Sequence, residues 1–424
     1  MEKPMKSRMK NVLGRLFFHI FLQVALMALV PAHALAGDRK GFRTDVFGSQ
    51  VTIKPGNPRS VTAWELGVDI SEPPPEGSEI IPFGDIYLWR HPDSRHLFRA
   101  ELSGVWDDVF RAGPGPGPFE TVLTFNNFTI PFARSELVDG EELKTEELLW
   151  GYVRPGFGFG YRRQVYPGNQ DNMLAADLML EPGFLFFDRG SGTARNFIVP
   201  EDTFELRAHL QIRWDALRRN LLKLPQKGYA AGSDMVYGQR ADWRDWGLNG
   251  AETASSGRNY FSLAGYFLAA GGVPWANSGR QFLVGALYGG YGHHLDRFSA
   301  TRIGGGPNPL GEEYGSTCLP VLPGAAIDEF FPKHYVLATG EYRWQPVFFA
   351  ALGLDASAAW LDRLRRRGAG IVDENGLLPA IGVRLTTGFF FDTRLQAAYN
   401  YNFSVVRHGS YGGHEVMINV SGKL

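Results

Sequence analysis

Two short groups of histidine and acidic residues are the first positions in this sequence that could do chemistry. His414 and Glu415 match the opening of the His-Glu-x-x-His zinc motif, but residue 418 is Ile, so the second histidine ligand is absent. The run His293-His294-Leu295-Asp296 could act as a ligand or acid–base cluster, or it could be the solvated end of a strand. No G-x-S-x-G, phosphate-loop or EF-hand pattern occurs. The sequence therefore predicts no enzyme, no metal site and no cofactor.

Residues 1–36 read as a secretory signal peptide. A basic start is followed by a mostly apolar run from Leu16 to Val30 and by the small-x-small pattern Ala34-Leu35-Ala36. A retained membrane anchor is the alternative, but the run is short for a span of about 20 residues. The pattern predicts export, with residues 37–424 as the mature chain.

Composition limits what the exported chain can be. Five of the 43 Lys and Arg residues and one of the 44 Asp and Glu residues lie in the signal, so the remainder carries about −5 net charge. That balance disfavours nucleic acid as a partner, because such a partner needs concentrated positive charge. Cys318 is the single cysteine, so the chain can form no internal disulfide. After residue 36 no apolar stretch approaches the ~20 residues of a spanning helix.

Apolar and polar residues alternate with a period of two in several segments, among them 205–215, 394–405 and 415–424. A soluble sandwich alternates as well, because its strands turn one apolar face to a shared core. The membrane is favoured because the apolar faces persist for about 10 residues, the length of a tilted spanning strand. Aromatic residues also mark the strand ends, as interfacial girdles require: Trp64, Trp214, Tyr342, Trp344 and Tyr401. The fold class predicted is all-β, a closed antiparallel transmembrane β-barrel of about 16 strands.

The strands can be placed from the alternation and from turn residues. They are predicted near 48–54, 60–71, 84–91, 97–108, 119–130, 147–165, 173–188, 204–215, 229–238, 259–270, 280–291, 334–345, 347–361, 376–388, 393–405 and 413–424. An even strand number puts both chain ends in the periplasm. The long connections at 132–146, 239–257, 295–333 and 362–375 are then extracellular.

This placement of the strands suggests roles for two groups of charged residues. Arg363, Arg365, Arg366 and Arg367 fall in a predicted extracellular loop, where they are either simply solvated or contact the phosphates of surface glycolipid. Glu341 and Arg343 share one face of a strand whose other face is apolar, so both point into the lumen, with Cβ atoms about 7 Å apart. They either line a polar lumen or anchor the loop 295–333 and gate the barrel.

Short motifs after residue 204 follow a fixed order. Arg213-Trp214-Asp215 leads into a turn, Arg302 to Pro307 contains three consecutive glycines, and Glu341-Tyr342-Arg343, Gly353 to Ala356, 381–385 and 394–402 follow. In order and spacing the chain resembles the bacterial surface antigen superfamily, the outer-membrane assembly and translocation barrels. The resemblance implies lumenal or loop-anchoring positions: Glu341, Arg343, Gly304, Gly305, Gly306 and Asp355.

The sequence departs from this superfamily in two respects. Members usually carry periplasmic POTRA domains before the barrel, and the sequence predicts a barrel without them. The arginine of the family's long-loop motif is also missing from Pro309–Tyr314.

The resemblance implies a residence in the Gram-negative outer membrane and a role in inserting or translocating proteins or lipids. The implied partners are outer-membrane lipid, a separate periplasmic protein and a client protein or lipid, and the implied mechanism uses an imperfect seam between the first and last strands. A passive, porin-like solute channel is the alternative. A third hypothesis is an outer-membrane hydrolase that uses His293, His294 or His414.

Overall fold

The computed structural model describes residues 42–46, 49–53, 60–76, 80–93, 95–129, 132–165, 173–276, 279–307, 320–368, 370–388 and 393–423. The predicted signal peptide 1–36, Cys318 and the Pro309–Tyr314 stretch lie outside these residues. In the described part of the chain, no helix is long and apolar enough to cross a membrane.

Sixteen antiparallel strands within the described residues form a closed barrel. They are β1 (Ser60–Glu72), β2 (Ile80–Asp93), β3 (His96–Leu102), β4 (Trp106–Pro114), β5 (Glu120–Thr129), β6 (Leu148–Gln164), β7 (Met173–Arg189), β8 (Thr203–Asp215), β9 (Pro225–Arg240), β10 (Asn259–Gly272), β11 (Gln281–His293), β12 (His334–Val347), β13 (Ala350–Arg367), β14 (Gly370–Thr387), β15 (Thr393–Arg407) and β16 (Ser410–Lys423). Short pairs lie outside this numbering: Phe42–Val46 with Ser49–Ile53, Leu137–Val138 with Glu141–Glu142, and Phe197–Ile198 with Gly247–Leu248. Arg218–Arg219 adds two residues beside β9, and Lys144–Glu146 is a 3₁₀ turn.

The barrel is apolar outside and polar inside, as the alternation predicts. On β7, Leu178 and Leu180 face outward with 59% and 44% exposure, while Asp177 and Glu181 face the lumen and are buried. A soluble sandwich would bury the leucines and expose the carboxylates. Because the order is reversed, the sandwich alternative fails and the membrane-barrel fold is confirmed.

The strand count is correct because two errors cancel. Residues 49–53 form a small hairpin with 42–46 and do not join the barrel. Conversely, the predicted strand 97–108 is two strands, β3 and β4, separated by a turn at 103–105. Ser103 fixes that turn, since its hydroxyl donates to the Trp106 carbonyl at 2.7 Å and accepts the Trp106 N–H at 2.8 Å.

Three of the four predicted long connections are present. All three lie at the end of the barrel opposite the N-terminus of β1 and the C-terminus of β16. They join β5 to β6, β9 to β10 and β11 to β12. The predicted loop 362–375 is wrong, because β13 and β14 continue through it as a hairpin that pairs Arg367 with Gly370. The segment 362–375, whose charged residues suggested a loop, therefore forms strands that pair through backbone hydrogen bonds.

The seam between first and last strands is continuous. β1 and β16 pair over ten successive residues, from Ala63 with Lys423 to Glu72 with His414. The ladders on either side of β3 have only six pairs each. The expected imperfect seam is therefore not seen, and the weakest pairing of the wall lies elsewhere.

Candidate functional site

The connection between β11 and β12, called here the plug loop (294–307 and 320–333), folds back into the lumen. Ile303, Leu322 and Ala325 are at most 1% exposed and cluster with inward-facing residues of the wall such as Leu337 and Leu361. An open aqueous channel would leave these lumenal side chains accessible to water. The lumen at this level is therefore a packed apolar core.

Backbone contacts give the plug loop a defined shape. Ile303 and Phe330 exchange two hydrogen bonds of 2.8 Å, and Leu322 donates to the Gly304 carbonyl at 2.7 Å. A Cβ atom on Gly304 would overlap the Ala326 carbonyl, and one on Gly305 would overlap the Ala325 carbonyl. The two glycines implied by the resemblance thus lie where two stretches of the loop approach most closely.

Glu415 of β16 holds the plug loop to the wall. Its carboxylate is fully buried and accepts the N–H of Gly306 at 3.0 Å and that of Gly324 at 2.7 Å. The side-chain amide of Asn400 donates a third bond at 2.9 Å. Asn402 adds a bond from its amide to the Pro323 carbonyl at 3.1 Å. One buried side chain that accepts N–H groups from two separate stretches of the loop is a strong anchor, because losing it would leave both buried donors unsatisfied.

This anchor was missed at the sequence level, where Glu415 appeared only as half of a zinc motif. The two residues of that motif face opposite ways: His414 is on the outside, with Nδ1 2.6 Å from the Tyr399 hydroxyl. No group of three or more His, Cys, Asp or Glu side chains in the described residues is arranged to hold a metal ion. The alternation in 415–424 places Glu415 on the lumenal face, but nothing in the sequence distinguishes it from the other lumenal carboxylates.

Ion pairs fix the two ends of the plug loop. Arg407 of β15 binds Glu329 through two hydrogen bonds of 2.6 and 2.7 Å, with both side chains buried. Arg302 binds Glu136 of the β5–β6 connection through two bonds of 2.5 and 2.7 Å. Burial by itself would raise the pKa of Glu136, but the charge and hydrogen bonds of Arg302 outweigh it and lower that pKa to about 2.

The predicted lumenal residues Glu341, Arg343 and Asp355 do lie together, joined by Arg384. Arg343 binds Glu341 through two bonds of 2.6 and 2.5 Å, and Arg384 lies 3.1 Å from Asp355. Glu341 and Asp355 are direct cross-strand partners. None of the hydrogen bonds and ion pairs found within the described residues joins Glu341, Arg343 or Asp355 to the plug loop. The gating role of Glu341 and Arg343 stays a prediction.

The cluster instead holds the connection between β8 and β9. Arg343 donates to the Pro225 carbonyl at 2.7 Å. That connection turns inward, with Leu217 1% exposed in the same apolar core as the plug loop. Asp215 stabilises the turn by binding Arg219 at 2.6 Å and the N–H of Leu217 at 2.9 Å. The lumen is thus filled from both ends.

The four clustered arginines have partners within the chain. Arg365 binds Asp139 at 2.5 Å, Arg366 binds Glu141 at 3.1 Å and Arg367 binds Glu374 at 2.6 Å. Arg363 donates to the carbonyl of residue 404 at 3.0 Å. They lie on strand β13 and not in a loop, and a glycolipid phosphate would compete with these acceptors. The glycolipid contact stays a prediction.

The His293-His294-Asp296 group does not converge on one site. The two imidazole rings stack with centroids 3.9 Å apart and are exposed. Asp296 is buried, binds Arg240 at 2.5 Å and accepts the N–H of Phe298 at 3.1 Å. The solvated-strand-end interpretation therefore fits the histidines, while the aspartate anchors the start of the plug loop.

An aromatic cluster covers the plug loop at this end of the barrel. Phe298 packs between Trp150 and Trp246, with ring centroids 5.0 and 5.1 Å away. Trp243 and Phe197 complete the buried group. Side chains from three connections and from strand β6 meet here, so the mouth of the barrel is closed over the plug.

Comparisons with known proteins agree with this architecture. No protein-family model matches the sequence, and no curated protein matches it. BamA from Haemophilus ducreyi, in a crystal structure lacking POTRA domains 1–3, matches 95% of this chain and 78% of that chain, with 10% identity and a TM-score of 0.50. This chain has the fold of the BamA barrel. No POTRA domain occurs among the described residues.

Two further solved structures are similar to the chain. CdiB from Acinetobacter baumannii and CdiB from Escherichia coli are each 10% identical, cover 90% of this chain, and have TM-scores of 0.48 and 0.45. The chain spans 65% of the first of these proteins and 67% of the second. The barrel fold that the resemblance implied is confirmed by the likeness to the BamA barrel, while activity has to be argued from the site.

Proposed function

We propose that this protein is an outer-membrane barrel that inserts or translocates proteins or lipids. The observation that carries the proposal is the filled lumen: in the part of the chain that the structure describes, a buried apolar plug held by Glu415, Arg407 and Arg302 occupies it. A passive channel needs a continuous polar lumen. The BamA-like fold supports the same choice.

The outward apolar band and the predicted signal peptide support outer-membrane residence. Lipid is then a constitutive partner, because side chains such as Leu178, Phe204 and Leu354 are exposed by 58–69% and need an apolar surrounding. We further propose a separate periplasmic protein that delivers clients to the barrel. Catalysis is not proposed, since His293, His294 and His414 do not converge with a carboxylate.

The test uses the full chain in liposomes. A urea-unfolded test barrel is added, and its folding is followed by heat-modifiable gel migration. We expect faster folding than in empty liposomes, and than in liposomes that hold the same amount of an unrelated barrel. Folding at the rate of both controls would overturn the insertase proposal, and stable ion conductance in planar bilayers would then establish the passive channel.

A further inference from the structure

The barrel wall has a gap in its backbone pairing beside β2. On one side β2 pairs with β1 from Ile80 onward. On the other side it pairs with β3 only from Ile86, because β3 ends at Leu102. In the described residues, Ile80–Asp85 therefore have no strand on that side. The tight turn at 103–105, with Gly104 at φ 80°, ends the β3–β4 hairpin before it reaches the level of Ile80–Asp85.

This unpaired edge lies in the apolar band of the barrel. Ile80 and Ile86 face outward with 62% and 48% exposure, and on β1 the outward neighbours are Leu66 and Ile70. Lipid offers no hydrogen bonds to an open strand edge, so pairing with another strand is strongly favoured there. Pro82 lies in the middle of the segment, and proline is typical of edge strands.

A second strand edge without a neighbour differs from the β2 edge in its residue types. Among the described residues, 370–379 of β14 have no neighbour on the β15 side, because that ladder begins at Ala380. That segment carries Asp373 and Glu374 and belongs to the hairpin that extends beyond the band. Water can satisfy its backbone groups. The β2 edge has no charged residue on its outward face and so has no such alternative.

The lumenal side of the β2 edge is acidic. Asp85 pairs in register with Glu65 of β1, and Glu101 of β3 pairs with Asp108 of β4. Glu101 is opposite Tyr87, two residues after Asp85, so these carboxylates share one face. Arg99 of β3 lies 3.5 Å from Asp108. A strand placed beside the edge would meet lipid on its outside and carboxylates on its inside.

We propose that Ile80–Asp85 is a docking edge for one β-strand of a client protein, with apolar residues facing out and Lys or Arg facing the lumen. The client would be held by backbone hydrogen bonds along the six-residue edge and by the carboxylates of Asp85 and Glu101. This inference rests on the proposed function, and it places client pairing at β2 because the β1–β16 seam is closed.

The test is disulfide cross-linking to a synthetic ten-residue peptide of alternating Leu and Lys that carries one cysteine. The protein is the full chain in liposomes, with Cys318→Ser and either Pro82→Cys at the edge or Leu354→Cys as the matched control. Leu354 is outward, 58% exposed and paired on both sides. We expect a yield about tenfold higher at position 82, as a few added cross-strand pairs would give. The yield should also alternate with the cysteine's place in the peptide.

A second set of variants tests whether the carboxylates of Asp85 and Glu101 contribute to binding of the Lys peptide. Asp85→Asn with Glu101→Gln should lower the yield of the Lys peptide about threefold, as expected for partly exposed ion pairs, and leave a Ser-for-Lys peptide unchanged. Equal yields at positions 82 and 354 would overturn the docking edge. If the native protein accelerates folding while yields are equal, only the docking inference fails. If it does not accelerate folding, the proposed function fails, and the peptide yields still decide whether the edge binds a strand.

Discussion

Removing the carboxylate of Glu415 should release the plug loop without unfolding the barrel. That carboxylate accepts the N–H groups of Gly306 and Gly324 from the loop. A buried N–H group that loses its acceptor costs about 1.5 kcal/mol, so two such groups amount to about 3 kcal/mol. At 1.4 kcal/mol for each factor of ten, Glu415→Ala should raise the population of the released loop about 150-fold.

Hydrogen exchange followed by mass spectrometry measures this release in peptides from 294–307 and 320–333. Glu415→Gln keeps one good acceptor and should show roughly a tenfold effect. Glu341→Gln is the matched control, since Glu341 is an equally buried lumenal glutamate whose partner is Arg343. Loop exchange at the native rate in a folded Glu415→Ala protein, or equal acceleration in the control, would refute the anchoring role.

Three further outcomes are expected. Gly305→Ala should speed exchange of the same loop peptides, because its Cβ would overlap the Ala325 carbonyl; native exchange rates would contradict this. Arg343→Ala should lower the free energy of unfolding by about 3 kcal/mol, measured by urea titration, because the buried Glu341 loses both hydrogen bonds that Arg343 donates to it. Raised conductance in Arg343→Ala would instead support its predicted gating role. Glu136 has a folded pKa of about 2, below its usual 4.5, so its pair with Arg302 stabilises above pH 4.5 and is lost as pH falls towards 2. Loop exchange should rise across that window, and Glu136→Gln should abolish the pH dependence.

The alternation of residue types predicted both the strands and the faces they present. Glu341 and Arg343 were placed in the lumen because the side-chain period of a strand is two. Asp355 was implied by the resemblance alone, and the structure brings all three together in the lumen. The errors came from segments in which the pattern continues through a turn or a hairpin. A turn at Ser103 divides one predicted strand, and the hairpin around residue 368 extends through the arginine run.

The contacts between distant segments needed the tertiary structure. Glu415 lies 109 positions from Gly306 and 91 from Gly324, and Arg302 lies 166 from Glu136. No local pattern encodes which of many lumenal carboxylates meets a backbone N–H of a loop. Only closure of the barrel brings these groups within hydrogen-bonding distance.

Sequence alone determined that this chain is a β-barrel with an apolar exterior and a charged interior. Successive side chains of a strand lie on opposite faces of the sheet, so alternation along the chain is enough to assign the two faces. The tertiary structure decided that the lumen is plugged, that the first and last strands pair along ten residues, and that among the described residues Ile80–Asp85 of β2 have no strand on the β3 side. Those features depend on strand register and on where loops fold, which arise from pairing between segments far apart in the chain.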